Sequence, residues 1–162
     1  MIAVVQRVLQ ARVVVDRQVV GEIGPGLAVL AAVEVGDAEA QMEWVAGKIL
    51  GLRIFRHGEK HFDRDVQQMA TELRAADPAA AAKAGVLLVS NFTVAAETAT
   101  GRRPSLSAAA PPEQARELFD LFVAKVRQMA PGLAVETGQF GADMQVQLTN
   151  DGPATFLVKS VR

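Results

Sequence analysis

The chain has 162 residues, a formal net charge of −1 and no cysteine. This length allows one domain to bury roughly 70% of its extended-chain surface, so folding requires neither disulfides nor a metal. The lack of cysteine excludes disulfide scaffolds, thiol nucleophiles and cysteine-based zinc sites. The near-zero net charge argues against non-specific coating of nucleic acid. Arginine supplies 12 of the 17 basic residues, which suits local phosphate recognition, although a GC-rich genome would also account for this bias.

The distribution of apolar residues excludes membrane and secretory classes. Apolar runs such as 28–33 are far shorter than the ~20 residues of a membrane-spanning helix. The chain starts directly in the apolar segment 2–5 without a basic leader, so we expect no signal peptide. We therefore expect a cytoplasmic protein in which residues 1–162 form one domain.

The first third of the chain predicts β-structure. Apolar and β-branched residues concentrate in four segments separated by turn residues, at 2–8, 12–15, 19–23 and 27–35. The short connections predict antiparallel pairing. The fourth segment is almost continuously apolar, which predicts a strand buried on both faces.

Two amphipathic helices are predicted. The first begins at Ala38 after Gly36-Asp37, carries apolar residues at helical spacing and ends at Gly51. The second runs from about Pro112 to Ala130 and has one apolar face.

The segment after the first helix is less regular. A strand at 52–55, a polar turn at 57–60 and a single helical turn at 65–69 are predicted. Residues 70–85 are interpreted as an alanine-rich surface excursion. It contains a short helix that begins at Asp77-Pro78 and stops at Gly85.

The remaining segments complete the fold class. A buried strand is predicted at 86–89, a long loop at 97–110, and strands at 145–148 and 155–158. About eight short strands and two main helices predict an α+β domain. We expect a mostly antiparallel, barrel-like sheet with both helices packed on one side, in a three-layer β/β/α arrangement. The GxGxxG and P-loop motifs of nucleotide-binding folds are absent.

The HGEKH segment allows two interpretations. His57 and His61 are four residues apart, and Asp63 or Asp65 can add a carboxylate, as in a metal-dependent hydrolase. Gly58 between the histidines instead indicates a turn, which disfavours the helical geometry of such a pair. We favour the solvated turn and keep the metal site as an alternative.

Hydroxyl groups and two arginines are further candidates. Ser90 and Thr93 lie where a buried strand ends, but no GxSxG motif or neighbouring histidine predicts a hydrolase triad. Hydroxyls that cap the strand end are the simpler interpretation. Arg102 and Arg103, in a loop rich in Gly and Pro, indicate either phosphate contact or a solvated charged loop.

Gly152-Pro153 lies between two predicted strands. Proline lacks the N–H that a hairpin ladder uses, and X-Pro bonds reach the cis form at modest cost. Either residues 150–152 form an ordinary hairpin turn, or a cis peptide aims two carbonyls in one direction and grips an amine.

Seven motifs follow one another in a specific order along nearly the whole chain: IAVVQRV, GEIGPGL, GLRIF, DVQQ, SNFTV, GRRPS and FGADMQVQLTNDGPATF. Together they resemble the D-aminoacyl-tRNA deacylase family of bacteria and eukaryotes. The resemblance implies a cytosolic homodimer that hydrolyses the ester between a D-amino acid and the tRNA 3′ adenosine. It also implies activity on mischarged glycyl-tRNA, sparing of L-aminoacyl-tRNA, and no need for a cofactor or metal.

The resemblance assigns residues to roles. Gly152 and Pro153 match the family's Gly-cisPro motif, which enters the partner subunit's active site, engages the substrate amino group and excludes an L side chain. Arg7 matches the arginine that steadies this motif, and Met144 belongs to the substrate site. The catalytic pocket for the adenosine and the ester is assigned to Ser90, Asn91, Phe92 and Thr93.

The resemblance also addresses the missing side-chain base. The terminal 2′-hydroxyl of the RNA helps to activate water, while the protein orients the ester and Arg102 and Arg103 contact RNA. Thr93 is interpreted as a pocket residue and not a nucleophile. Asn91 stands where the family usually has Gln, whose side chain is one methylene longer. If this difference compromises the site, the alternative function is a non-catalytic dimer that binds tRNA 3′ ends.

Overall fold

A long strand, β1 (Ile2–Val15), organises the fold. Its side chains alternate between buried and less buried positions, as expected for a strand with one face on a core. The sequence predicts two strands here, and that division is wrong. Exposed Leu9 and Gln10 interrupt the apolar pattern where β1 changes its partner, while the backbone remains extended.

The structure, a computed structural model, describes residues 1–161. The elements after β1 are, in chain order, β2 (Gln18–Ile23), β3 (Gly26–Ala32), α1 (Glu39–Leu50), β4 (Phe55–His57), β5 (Lys60–Arg64), α2 (Val66–Ala76), α3 (Pro78–Ala81), β6 (Gly85–Ser90), a 3-10 turn (Phe92–Ala95), α4 (Pro112–Met129), β7 (Ala134–Thr137) and β8 (Gln145–Lys159). Among these described residues, no helix is long and apolar enough to span a membrane.

The main sheet is nearly closed into a barrel. Its strand order is β2-β1-β3-β6-β7, and β8 pairs with β1. The three β1 pairings are antiparallel, whereas β3-β6 and β6-β7 are parallel. The outer strands β2 and β7 approach each other so closely that a Cβ at Gly21 would collide with Thr137 O. The predicted mixed α+β class with a barrel-like sheet is confirmed, although β7 was not predicted.

Two apolar cores give the three layers. One fills the barrel interior and includes Val13, Leu87 and Val89. The other lies between the sheet and the two long helices, and its helical members are Met42, Val45, Ala46, Ile49, Leu50, Phe119, Phe122, Val123 and Val126. Both predicted helices are therefore confirmed, with their apolar faces on this second core.

The region between α1 and β6 is more regular than the sequence predicts. Strand β4 begins at Phe55, so the prediction of a strand at 52–55 is displaced, and it pairs with β5 across the turn at Gly58. Helix α2 is 11 residues long instead of one turn, because Asp65 caps its N-terminus and Ala70 packs inward. Gly85 starts strand β6 and does not end a helix.

Candidate active site

A groove of about 850 Å³ lies at the ends of β3 and β6. We define the groove by its lining residues, which come from these strands, the 3-10 turn, residues 106–115 and residues 140–146; they include Leu30, Val89, Ser90, Asn91, Phe92, Leu106, Ser107, Phe140, Met144 and Val146. The lining is mostly apolar with a few polar groups at one end, as in many small-molecule sites.

The predicted SNFT segment forms one wall of the groove. Asn91 N donates to Ala31 O at 2.8 Å and ends β6. The Asn91 side chain then caps the following turn, because its Oδ1 accepts from Thr93 N at 3.2 Å and from Thr93 Oγ1 at 2.5 Å. This geometry leaves the Phe92 ring 57% exposed beside the groove, although phenylalanine usually packs in a core.

Thr93 has no side-chain base beside it. Its hydroxyl proton is directed to Asn91, and no histidine in residues 1–161 hydrogen-bonds to it. Ser90, Asn91 and Phe92 line the groove, whereas Thr93 lies exposed at the turn. The structure thus brings the four predicted residues together without assembling a nucleophile and a base.

Met144 and Phe140 contribute to the lining from the β7–β8 connection. The absence of a side chain at Gly138 leaves room for the Met144 side chain, because a Cβ at Gly138 would lie 2.6 Å from Met144 Sδ. Phe140 contacts Phe119 of α4 at a centroid distance of 6.2 Å, and the Arg116 guanidinium lies 4.5 Å from the Phe140 ring. The family resemblance assigned Met144 to the site, whereas Phe140 received no role, since a single aromatic residue in a Gly-rich segment has no distinctive pattern.

The Gly-Pro loop, residues 151–154, is a bulge in β8. Gln6 pairs with Thr155 and Val8 pairs with Asn150, so a single β1 residue faces four residues of β8. Both halves of β8 run antiparallel to the same strand, and the hairpin alternative is therefore wrong. The Gly152-Pro153 peptide is cis, as the other alternative predicts.

Arg7 is the β1 residue opposite this bulge, and it is only 3% exposed. Its Nε donates to Asp151 O at 3.1 Å and lies 2.8 Å from Asp151 Oδ2. Its Nη1 donates to Ile54 O at 2.5 Å, which ties the loop to the start of β4. Its Nη1 also donates to His61 O at 3.4 Å, so a buried guanidinium paired with one carboxylate and three carbonyls fixes the first half of the loop.

Gly152 has a backbone conformation that L side chains rarely adopt, with φ +134°. A Cβ at this position would lie 2.9 Å from Ala154 N and 3.0 Å from Arg7 Nη2. Glycine is therefore required here, while Gly152 and Pro153 themselves remain exposed to solvent.

The β4–β5 hairpin supports Arg7 and contains the histidines. Burial alone would raise the pKa of Asp63, but Lys60, Arg53 and Arg64 lie close to its carboxylate and lower that pKa below its ordinary value. His57 Nδ1 lies 3.4 Å from Glu72 Oε2. No three His, Asp or Glu residues of the described chain form a group that could hold a metal ion, so His57, His61 and Asp63 do not form the alternative metal site.

Arg102 and Arg103 lie at the exposed end of a loop. Two hydrogen bonds of 2.9 Å between the main chains of Glu97 and Ser105 close this loop. The next residue, Leu106, lines the groove. The two arginines are therefore only three to four residues before a groove-lining residue along the chain, and both side chains are exposed to solvent.

The groove and the Gly-Pro loop are separate within one chain. None of residues 151–154 lines the groove in the part of the chain that the structure describes. The single chain therefore presents an open pocket in one place and an anchored, exposed peptide in another.

Comparison with known proteins identifies close relatives. The family model described as D-Tyr-tRNA(Tyr) deacylase matches residues 4–159. A D-aminoacyl-tRNA deacylase of Cupriavidus metallidurans is 48% identical, with 98% of this chain and 96% of the relative covered, and one of Pelobacter propionicus is 50% identical, with 97% and 98% covered.

Solved structures share the fold. A protein described as c-Myc DNA Unwinding Element Binding Protein superposes with a TM-score of 0.87 at 32% identity, covering 100% of both chains. A probable eukaryotic D-amino acid tRNA deacylase superposes with a TM-score of 0.70 at 16% identity, covering 97% of this chain and 98% of the other, which shows a common fold.

Proposed function

The chain belongs to the D-Tyr-tRNA(Tyr) deacylase family, and we propose that it hydrolyses the ester of D-aminoacyl-tRNA to free D-amino acid and tRNA. The observation that carries this proposal is the combination of an open groove with an anchored, exposed cis Gly-Pro loop. We extend the substrates to mischarged glycyl-tRNA, and we propose that L-aminoacyl-tRNA is spared.

In this proposal the groove binds the 3′-terminal adenosine. The exposed Phe92 ring offers a face on which a base stacks, an interaction that contributes about 1–3 kcal/mol per base in single-stranded RNA sites. Ser90 and Asn91 supply polar groups beside it, and Met144 supports the apolar part of the lining. Arg102 and Arg103 lie outside the groove and contact the RNA phosphates.

The Gly-Pro loop supplies the stereochemical selection. Its backbone carbonyls accept hydrogen bonds from the α-amino group, and the rigid peptide leaves no space for an L side chain. A site that reads only the backbone and the amine needs no pocket for the amino-acid side chain, so we expect one enzyme to accept many D-amino acids.

The complete site requires two subunits in this proposal. Since the Gly-Pro loop does not line the groove of its own chain, we assign it to the groove of a second copy in a homodimer. Residues 1–162 act as one domain, and the 70–85 segment lies outside the site. The activity belongs in the cytoplasm, where aminoacyl-tRNA is used.

Catalysis rests on orientation and on the substrate itself. The tRNA 2′-hydroxyl next to the ester assists the attack of water on the ester carbonyl, which breaks the acyl–oxygen bond and leaves the 3′-hydroxyl on the RNA. Thr93 supports the turn beside the pocket and forms no covalent intermediate, because its hydroxyl donates to Asn91 Oδ1 and no histidine of residues 1–161 hydrogen-bonds to it.

The test is hydrolysis of matched D- and L-tyrosyl-tRNA by the purified protein, with chelator present and its oligomeric state measured by sedimentation. Rapid loss of the D ester alone by a dimer is the expected result. If both esters survive while the tRNA is still bound, the protein is a non-catalytic binding dimer. A fully active monomer would contradict the two-subunit site.

A further inference from the structure

Arg7 binds the first half of the Gly-Pro loop, and a different side chain, that of Asn150, binds the second half. Asn150, the last β8 residue paired with β1 before the bulge, directs its side-chain amide across residues 151–153. Its Oδ1 accepts from Ala154 N at 2.8 Å, and its Nδ2 donates to Ala154 O at 3.2 Å. The amide thereby bonds both polar groups of one backbone residue.

These two bonds take the place of the β1–β8 hydrogen bonds that the bulge interrupts at Ala154. Ala154 has no partner in the β1–β8 register, because the ladder breaks between Gln6 and Val8. Ala154 is nevertheless only 3% exposed, so its N–H and C=O require protein partners. The Asn150 side chain supplies them, in the way that a neighbouring strand would.

Asn150 is itself held in place by two further contacts. Its Nδ2 lies 3.0 Å from Gln6 Oε1 on β1 and 3.1 Å from Thr155 Oγ1 on β8. An amide fixed at both ends has one defined orientation, in which the oxygen faces Ala154 N and the nitrogen faces the three acceptors. The bulge is thus closed by Asn150 at one side and by Arg7 at the other.

We infer that Asn150 is a positioning residue that sets the selectivity of the proposed deacylase for D over L substrates. This inference rests on the proposed function, in which Gly152 and Pro153 read the substrate's chirality. Arg7 binds Asp151, before the peptide, and Asn150 binds Ala154, after it. Without the Asn150 amide, Ala154 loses its polar partners, and Arg7 is left as the side-chain anchor of the peptide between the flanking ladder pairs. A small displacement of a positioning group changes rates strongly.

Two substitutions separate the contacts. Asn150→Ala removes both halves of the amide. Asn150→Asp keeps an oxygen that accepts from Ala154 N but removes the Nδ2 donor to Gln6 and Ala154 O. Thr149→Ala is the matched control, since Thr149 is the exposed preceding residue of the same strand.

The measurements are the ratio of kcat/KM for D- over L-tyrosyl-tRNA and the hydrogen exchange of the Ala154 amide by NMR. We expect Asn150→Ala to lower the ratio at least about tenfold and to lose Ala154 amide protection. Asn150→Asp should lower the ratio while this amide stays protected. Thr149→Ala should behave like the wild type in both measurements.

The outcomes are distinguishable. A folded Asn150→Ala variant with an unchanged D-over-L ratio would overturn the role in selectivity, and unchanged Ala154 protection would overturn the anchoring. An equal loss of both activities would indicate a purely structural role and would also overturn the inference. If the wild type hydrolyses neither ester, the proposed function fails, and Ala154 exchange still decides whether Asn150 anchors the loop.

Discussion

The groove and the Gly-Pro loop differ in how their backbone is held. In the SNFT wall, the Asn91 side chain makes two hydrogen bonds, both to Thr93, and Phe92 is largely exposed. The Gly-Pro loop is held by a buried arginine, an ion pair and a side-chain amide, and it exposes only its tip. This difference suits the proposed roles, in which the groove accommodates the adenosine and the loop presents a fixed shape to the amino acid.

The largest expected effect is on the anchored side, at Arg7. Arg7→Lys keeps the charge but removes the planar set of donors that reaches Asp151 and Ile54 together. We expect kcat/KM for D-tyrosyl-tRNA to fall by about 100-fold, with a lower D-over-L ratio, because the loop loses its fixed position. Steady-state hydrolysis of both esters measures this change.

Arg12→Lys is the control for Arg7. Arg12 is exposed on the same strand and donates to Gln147 at 2.7 Å, away from the loop. It should retain the wild-type rate and ratio. If Arg7→Lys also retained the wild-type rate and ratio, the position of the Gly-Pro loop would not depend on the Arg7 guanidinium. The loop would then not be more firmly held than the groove wall by this contact.

A smaller effect is expected in the groove wall, at Thr93. Thr93→Ala removes a hydroxyl that only supports the turn, so kcat/KM should fall less than about tenfold. The same change at Thr71, an exposed hydroxyl on α2, should have no effect. Complete loss of hydrolysis by Thr93→Ala, with tRNA binding intact, would instead indicate that Thr93 is a catalytic nucleophile and that the groove wall does more than bind the substrate.

The smallest expected effect concerns the hairpin behind Arg7. The folded-state pKa of Asp63 lies below its ordinary value, so its carboxylate stabilises the fold above about pH 4, and this stabilisation disappears as the pH falls through the lower folded pKa. Asp63→Asn should therefore lower the melting temperature slightly near pH 7.

The difference from the wild type should begin to shrink below about pH 4, where Asp63 of the unfolded chain binds a proton, and should vanish once the pH has fallen through the lower folded-state pKa of Asp63. Thermal unfolding of both proteins across this pH range measures the trend. A melting-temperature difference that is independent of pH would show that the Asp63 charge does not support the hairpin.

Periodicity predicted much of the fold. Apolar spacing located α1 and α4, because each helix has one buried face, and nearly continuous apolar runs located β3 and β6, because these strands are buried almost throughout. Strand β7 has only four residues, all half-buried, and it pairs in parallel with distant β6, so no local pattern indicates it. Helix α2 was underestimated because few apolar residues mark its buried side.

The candidate site was predicted less evenly. The SNFT segment was assigned to the site from the family resemblance, since its residue types alone favoured a strand cap, whereas Gly152-Pro153 already stood out as a proline between two predicted strands. Sequence could not decide between a hairpin and a bulge at 150–154, since the answer depends on pairing with β1, about 145 residues away. Asp151, the partner of Arg7, and Gln6, a partner of Asn150, are each 144 residues away along the chain. The contacts of Asn150 with Ala154 and Thr155 are local, but they form only because the bulge brings these residues together.

The pairing of β1 with three strands has a further consequence. The strand that carries Arg7 also contributes Val5 to one core and Val13 to the other. Damage to packing along β1 therefore displaces Arg7 and, with it, the peptide that we propose discriminates between mirror-image substrates. In that proposal, a substitution that loosens β1 would lower the selectivity of the enzyme as well as its abundance.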